Sequence, residues 1–195
     1  MAPKTTKSAN TRARIIATAQ RIFAKQGFAT ASLDEIVSKS KVTTGAVYYH
    51  FGDKKGLFQA VAEHLEQTIL DEILRLTPPD DSPWQTLENS VIVALEVCAR
   101  PDVQRIVFTD APTVIGLREW HDIEMKYAYG LFEQILSGMA DEGQLLTGNA
   151  GLTAQVLLGT IIEAAHAVAA AKEKKTALLE AKTIVLSMLR SIRQQ

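Results

Sequence analysis

The sequence predicts an all-α fold of about nine helices. Apolar residues recur at helical spacing almost throughout, and no stretch shows the period-two alternation of a half-buried strand. Stop signals (Gly27, Pro78 with Pro79, Pro101, and the loop "DEGQLLTGN" at 141–149) fall at intervals that suit ordinary helices. With 47% hydrophobic and 22% charged residues, the composition is that of a soluble globular chain, and 195 residues can bury a core in one or two domains.

The elements follow in order. Asn10 or Thr11 can cap a first helix whose apolar face is Ile15, Ala19, Ile22 and Phe23, with Gly27 as its stop and Phe28 folding back. Ser32 with Glu35 reads as a capping box opening a short helix that buries Leu33, Ile36 and Val37. "SKSKV" is a turn, and a second short helix runs from Thr43 to His50 with Ala46 and Val47 inward and Phe51 closing it. Asp53 caps a long helix to Leu76, striped by Leu57, Phe58, Val61, Leu65, Ile69 and Ile73 and ended by the prolines. Further helices are expected at 84–99, 101–108, 117–140, 150–172 and 175–193, with "TDAPTVIG" (109–116) breaking the chain between two of them.

Charge is unevenly spread. Residues 1–55 hold ten Lys and Arg against three Asp and Glu, whereas the rest holds eleven against nineteen. A basic end of this kind points to a polyanion partner and to a separate task for the remainder. The expected division is therefore a domain of residues 1–55, beginning with a basic flexible arm over 1–10 that carries Lys4 and Lys7, and a larger helical domain of 56–195. The single cysteine, Cys98, excludes an intramolecular disulfide and a multi-cysteine zinc site. The first twenty residues lack the apolar core of a signal peptide, so a cytoplasmic protein is expected. The segment 150–171 is apolar enough to suggest a membrane span, but Gln155, Glu163 and His166 within it favour a buried helix, and no membrane partner is expected.

The most informative stretch is "VTTGAVYYHF", 42–51. Helix, turn and helix over 32–50 form the core of a DNA-binding motif, and the second helix carries Thr and Tyr where a solvated face would carry Lys and Glu. Thr43, Thr44, Gly45 and Ala46 lie at its start, where small residues and a hydroxyl can approach base edges. Tyr48, Tyr49 and His50 come one turn later, where phosphates pass, and Ser32, Lys41 and Lys54 flank the motif as further backbone contacts. Each tyrosine has a competing reading as a packing residue against the first helix, and His50 one as a helix C-cap.

Together, Gly27-Phe28, Ser32, Ile36, Val42, Gly45, Tyr48, His50-Phe51, Lys54 and Leu57-Phe58 resemble the TetR-type transcriptional repressors. The match spans Phe23 to Val61, about the first third of the chain. The resemblance implies a homodimer that binds a palindromic site in double-stranded DNA and is released by a small-molecule effector bound in the C-terminal domain. An alternative is a helix-turn-helix regulator without such an effector, controlled by a protein partner. The family usually has Ala-Gly before Val42, where this chain has Ser40-Lys41. A left-handed Lys41 would cost about 1 kcal/mol, and its side chain could reach a phosphate.

Candidate pocket residues are Phe108, Trp120, His121, Glu124, Tyr127, Glu163 and His166. Glu163 and His166 share a helix face at i, i+3, which fits either a pocket or a satisfied pair at a dimer interface or helix rim. A di-iron bundle needs two such pairs and only this copy is present, so no metal is expected, and no cofactor beyond the effector. Trp84, Trp120 and Cys98 also suit core packing. The last two helices are the expected dimer interface, through Leu157, Ile161, Ala165, Leu178, Val185, Met188, Leu189 and Ile192. An enzyme has no support, because no H-E-x-x-H, nucleophile motif or Gly-rich phosphate loop is present.

Overall fold

The computed structural model describes residues 4–78, 80 and 82–194, with the backbone alone for 4–7. Among these there are nine helices and no strand. They are α1 (Lys4–Thr30), α2 (Leu33–Ser40), α3 (Thr44–Phe51), α4 (Lys54–Leu76), α5 (Pro83–Cys98), the composite α6 and α7, α8 (Ala150–Ala170) and α9 (Lys174–Ser191). Helix α6 joins Pro101–Val103, a π segment Gln104–Asp110 and Ala111–Val114; α7 joins Leu117–Glu124, a π segment Met125–Tyr129 and Gly130–Asp141.

The helices form two compact units. One comprises the chain up to Leu65 together with Arg105–Trp120; the other comprises Glu66–Gln104 and His121–Gln195. The expected boundary at residue 55 thus moves into α4, and the first unit gains a second segment. The cause is visible in the core: Leu57, Phe58, Val61 and Leu65 of α4 and Ile106, Val107, Ala111 and Ile115 of α6 are all buried.

In the first unit, α1 buries Ile15, Ile16, Ala19, Ile22 and Phe23. Phe23, Phe28 and Phe58 form an aromatic cluster with centroids 5.1 to 6.1 Å apart. Gly27 breaks α1 with φ +77°, which lets Phe28 turn back into that cluster. The α6 segment grips this break. The Phe28 N–H donates to Asp110 Oδ2 at 2.8 Å, and Arg105 Nη2 donates to Gln26 O at 3.4 Å. Arg105 Nε lies 3.4 Å from the same Asp110 oxygen, closing the clasp.

Three local expectations change. Helix α1 starts at Lys4, so the arm foreseen over 1–10 is helical from Lys4 onward, the cap at Asn10 or Thr11 is not used, and residues 1–3 lie outside those described. Nothing from Lys4 to Gly27 breaks a helix. Ser32 stands at the N-cap of α2 in extended conformation but makes no capping bond. Glu35 accepts instead from Lys39 at 2.7 Å and Gln26 at 3.0 Å, so the capping box does not form. The "TDAPTVIG" stretch carries α6 on as far as Val114, and the expected break comes only at its end, at Ile115 and Gly116, where Gly116 has φ +114°. Pro112 falls in the first turn after a π segment, where a missing N–H costs least.

In the second unit, α8 packs against α9, α7 and α5, and α9 against α5. Helix α5 contributes to the core of this unit by burying Trp84, Leu87, Val91, Ala94, Leu95 and Cys98. Charge pairs fasten α9 to it: Arg190 binds both carboxylate oxygens of Glu88 at 2.7 Å, and Lys182 meets Glu96. Helix α8 is long and apolar enough to cross a membrane by composition alone, but it packs on three neighbours here.

Gly27 has two constraints at once, its positive φ and the guanidinium over it. A Cβ there would stand 1.9 Å from Arg105 Nη2. Gly27→Ala should lower unfolding stability by about 1–3 kcal/mol. Chemical denaturation reads this directly, and an unchanged midpoint would show the clasp to be slack.

Candidate nucleic-acid interface

The turn between α2 and α3 settles what Ser40-Lys41 does. Ser40 folds inward, buried, and its hydroxyl donates to Ile36 O at 2.5 Å. Lys41 takes the left-handed conformation (φ 52°, ψ 47°) and leaves its side chain exposed. Its N–H and that of Val42 close the helix end on Ser38 O and Val37 O at 3.2 and 3.3 Å. The family's glycine position is thus occupied by a lysine at a backbone cost of about 1 kcal/mol.

Helix α3 is capped by Thr43, whose Oγ1 accepts from the Ala46 N–H at 3.2 Å. That cap uses one lone pair of Thr43 within the protein. Val47 points into the core and Ala46 is half-buried, while Thr44, Gly45, Tyr48 and Tyr49 stand on the exposed side. The tyrosines are 53% and 82% exposed, so packing against α1 is not their role. No heavy atom lies within 4 Å of where a Cβ on Gly45 would stand, so the approach to the start of α3 is open. His50 is half-buried, edge-on to Tyr49 at 5.1 Å. Asp53 caps α4, accepting from Gly56 N–H at 2.7 Å. Lys54 is less free than its sequence position suggests. Its ammonium donates to Ala29 O at 3.3 Å and sits 4.6 Å from the Phe28 ring centre, whereas Lys55 beside it is exposed.

An exposed hydroxyl-rich face on a short helix, braced by a buried valine and flanked by free lysines, defines a helix-turn-helix DNA-binding protein. The family description "Bacterial regulatory proteins, tetR family" matches residues 15–61, and "Tetracyclin repressor-like, C-terminal domain" matches 84–192. The HTH-type transcriptional repressor BepR of Brucella suis is 30% identical over 80% of this chain and 78% of its own. A TetR-family transcriptional regulator from Pectobacterium atrosepticum superposes with TM-score 0.83 at 24% identity, covering 99% of both chains. RolR, solved in complex with resorcinol, gives 0.73 at 20% identity, over 97% of this chain and 90% of its own. The chain belongs to the TetR family and is a DNA-binding transcriptional regulator, not an enzyme.

The residues proposed for an effector pocket divide between the two units. Phe108 and Trp120 belong to the first unit, where Trp120 is buried core; His121, Glu124, Tyr127, Glu163 and His166 belong to the second. His121 is exposed, and Glu124 and Tyr127 are half-buried. Glu163 and His166 do meet, at 3.8 Å, but on the outer side of α8, where the Glu163 side chain is 84% exposed. They form a pair at the rim of an open groove between α8 and α9.

The proposed dimer residues divide as well. Leu157, Ile161, Ala165, Val185 and Leu189 are buried within the chain itself, so they hold α8 and α9 to their own unit. Leu178 and Ile192 are half-buried and Met188 is exposed. The strongest apolar stripe of each helix went to the internal core. The outward face is the weaker stripe, with Leu152, Val156, Leu179, Ile184 and Met188 exposed.

Three functional groups went unread in the sequence. Arg105 and Asp110 look like ordinary surface charges until α6 is seen against Phe28. Glu66 is only 6% exposed, and burial and the nearby Glu124 carboxylate push its pKa from the ordinary 4.5 to about 8. A signal existed, since Glu66 shares a helix face with the buried Ala62, Ile69 and Ile73.

Lys41→Gly should raise unfolding stability by about 0.5 kcal/mol, the strain relieved less the added chain entropy. If Lys41 meets a phosphate, the same variant should lower the salt dependence of DNA binding by about one counterion. Glu66 gives a pH signature. The unfolded chain ionises this group near 4.5 and the folded one near 8, so folded stability declines as pH rises through that window. The decline should be on the order of a few kcal/mol and should be absent in Glu66→Gln. Denaturation midpoints at pH 5 and about pH 8 compare the two directly.

Proposed function

We propose that this regulator is a homodimeric repressor that reads a palindromic operator and is released from it by a small molecule bound in the second unit. The observation that carries the reading is the exposed apolar face of α8 and α9. Leu152, Val156, Ile184 and Met188 flank two grooves of about 620 and 350 Å³ on this face. Contiguous apolar surface on a monomer marks an association site, and closed two-fold pairing is the common solution. Pairing through α8 and α9 of two copies makes a four-helix bundle. It also supplies the second reading head that a single short helix needs for useful specificity. Glu163 lines one of these grooves, so the Glu163–His166 pair becomes part of the interface.

Release by an effector requires that a change in the second unit be felt in the first. The chain crosses between the units after Leu65, after Gln104 and after Trp120. The second crossing lies in the π segment of α6, just before Arg105 and Asp110, which hold Gln26 and Phe28 at the end of α1. π turns recur at functional positions because their widened backbone can shift register. A shift of α6 would release the Phe28 N–H and with it the brace of the helix-turn-helix. The resorcinol complex of RolR supports a ligand-binding role for a chain of this fold. Such a protein acts on the chromosome, in the cytoplasm.

Selection of bound sequences from random duplex DNA should recover a palindrome whose half-sites lie about one helical turn, ~34 Å, apart. Recovery of a single half-site would overturn the dimeric reading. Val156→Asp with Met188→Asp should give a folded monomer by sedimentation and weaken operator binding by about a hundredfold or more.

A further inference from the structure

The chemistry missing from α3 bears on how it tells one base from another. Side chains that identify a base by hydrogen bonds are long and polar: Arg or Lys on guanine, Asn or Gln on adenine, Asp or Glu on cytosine. The helix Thr44–Phe51 holds none of these. Its one ring donor, His50, is half-buried at the far end, edge-on to Tyr49. The Thr43 hydroxyl oxygen is engaged as the cap on the Ala46 N–H. The nearby cations do not fill the gap. Lys39 is paired with Glu35 at 2.7 Å, and Lys54 lies against Ala29 O and the Phe28 ring. Lys41 and Lys55 are exposed, but they lie off the helix, in the turn before it and on α4 after it.

The exposed face offers methyl groups and shape instead. Thr44 and Tyr48 form one row of that face, Gly45 and Tyr49 the next, each pair four residues apart. At Gly45 the place a Cβ would take has no heavy atom within 4 Å, so the tyrosine rings do not cover it. The face therefore carries a notch floored by backbone, with the Thr44 methyl and aromatic side chains around it. The fold does not require glycine here. Gly45 has no positive φ and no close neighbour, and alanine is the better helix former. A glycine that serves neither turn nor packing suits close approach by something outside the protein. The apolar group that the major groove presents is the C5 methyl of thymine.

We infer that α3 selects its half-site by a thymine C5 methyl seated in the notch at Gly45, and not by bidentate hydrogen bonds to a purine. This rests on α3 being the helix that enters the major groove. The absent side chain lets the backbone come close enough to enclose the methyl, and Thr44 adds a second apolar surface beside it. The tyrosine hydroxyls are left for phosphates, which fix the register in which the methyl is met.

The test uses the full chain and the duplex recovered by selection, whether that is a palindrome or a single half-site. Each thymine in turn is replaced by deoxyuridine, which deletes the methyl and keeps every hydrogen-bonding group. One position in each half-site should lose about fourfold in affinity, the effect of one methyl returned to water, with the salt slope unchanged. Gly45→Ala should fold as wild type, because its Cβ meets open space. It should bind the thymine and deoxyuridine duplexes alike. The inference is overturned if selection recovers no preferred sequence, or if no thymine responds to loss of its methyl. It is also overturned if Gly45→Ala keeps the wild-type preference for thymine, which would place the methyl's effect in DNA shape. Gly45→Glu separates this from the reading beneath it. A carboxylate on α3 should abolish binding wherever α3 meets DNA. Unchanged binding by Gly45→Glu contradicts both, because another element then reads the groove. Lost binding without a deoxyuridine effect keeps α3 as the reading helix and removes the methyl contact alone.

Discussion

The hydrogen bond from the Phe28 N–H to Asp110 is the constraint on which the first unit depends. It joins residues eighty-two positions apart in the chain, and it satisfies the backbone at the point where Gly27 ends α1. Helix α1 needs an acceptor there because the turn exposes a donor beside a buried aromatic cluster. Asp110 supplies it with a charge, and Arg105 balances the charge while covering Gly27. Without this clasp, Phe28 has less to hold it against Phe23 and Phe58, and Lys54 loses the ring and carbonyl that position it. The reading head is therefore not a free-standing three-helix motif. It is completed by a segment that the chain delivers only after the first stretch of the second unit, Glu66–Gln104.

The DNA face follows from where α3 has no neighbours. Val47 commits one side to the core, the Thr43 cap fixes where the helix starts, and the remaining side is left to Thr44, Gly45, Tyr48 and Tyr49. Two large aromatic residues exposed this far would be a liability on an idle surface, and on a face that meets phosphate they provide rigid hydroxyl donors. The left-handed Lys41 keeps a charged side chain exposed in the turn before α3. A glycine would be easier in that turn, but it would carry no charge.

Much of the fold could be read from the sequence, for a physical reason. The stripe Leu57, Phe58, Val61, Leu65, Ile69, Ile73 reports burial of one helix face, and burial of any sort makes such a stripe. The same fact explains the errors. Leu157, Ile161, Val185 and Leu189 announced burial, but a stripe does not say whether the burying partner is the same chain or another. The outward face of α8 and α9 carries Leu152, Val156 and Met188 among polar residues and makes a weaker pattern. The break expected over 109–116 falls only at its end because Pro112 follows a π segment, where its missing N–H does not stop the helix. The exposed face of α3 was legible because it depends on local spacing along two short helices. Glu66 was missed although it shares the buried face of Ala62, Ile69 and Ile73, because a carboxylate is ordinarily solvated. The α7 residues Leu131 and Phe132 that cover it are far away in the sequence.

The central claim is that α6 holds the DNA-reading helices in working order from within the same unit. The most direct test is operator affinity of Asp110→Ala across a series of salt concentrations. Asp110 is not on the exposed face of α3, so a loss cannot come from a missing DNA contact. The account predicts that affinity falls by about tenfold or more while the salt slope stays as in wild type, because the phosphate contacts survive and only their preorganisation is lost. Wild-type affinity in Asp110→Ala would contradict it, and would mean that α1 to α4 read DNA without the clasp.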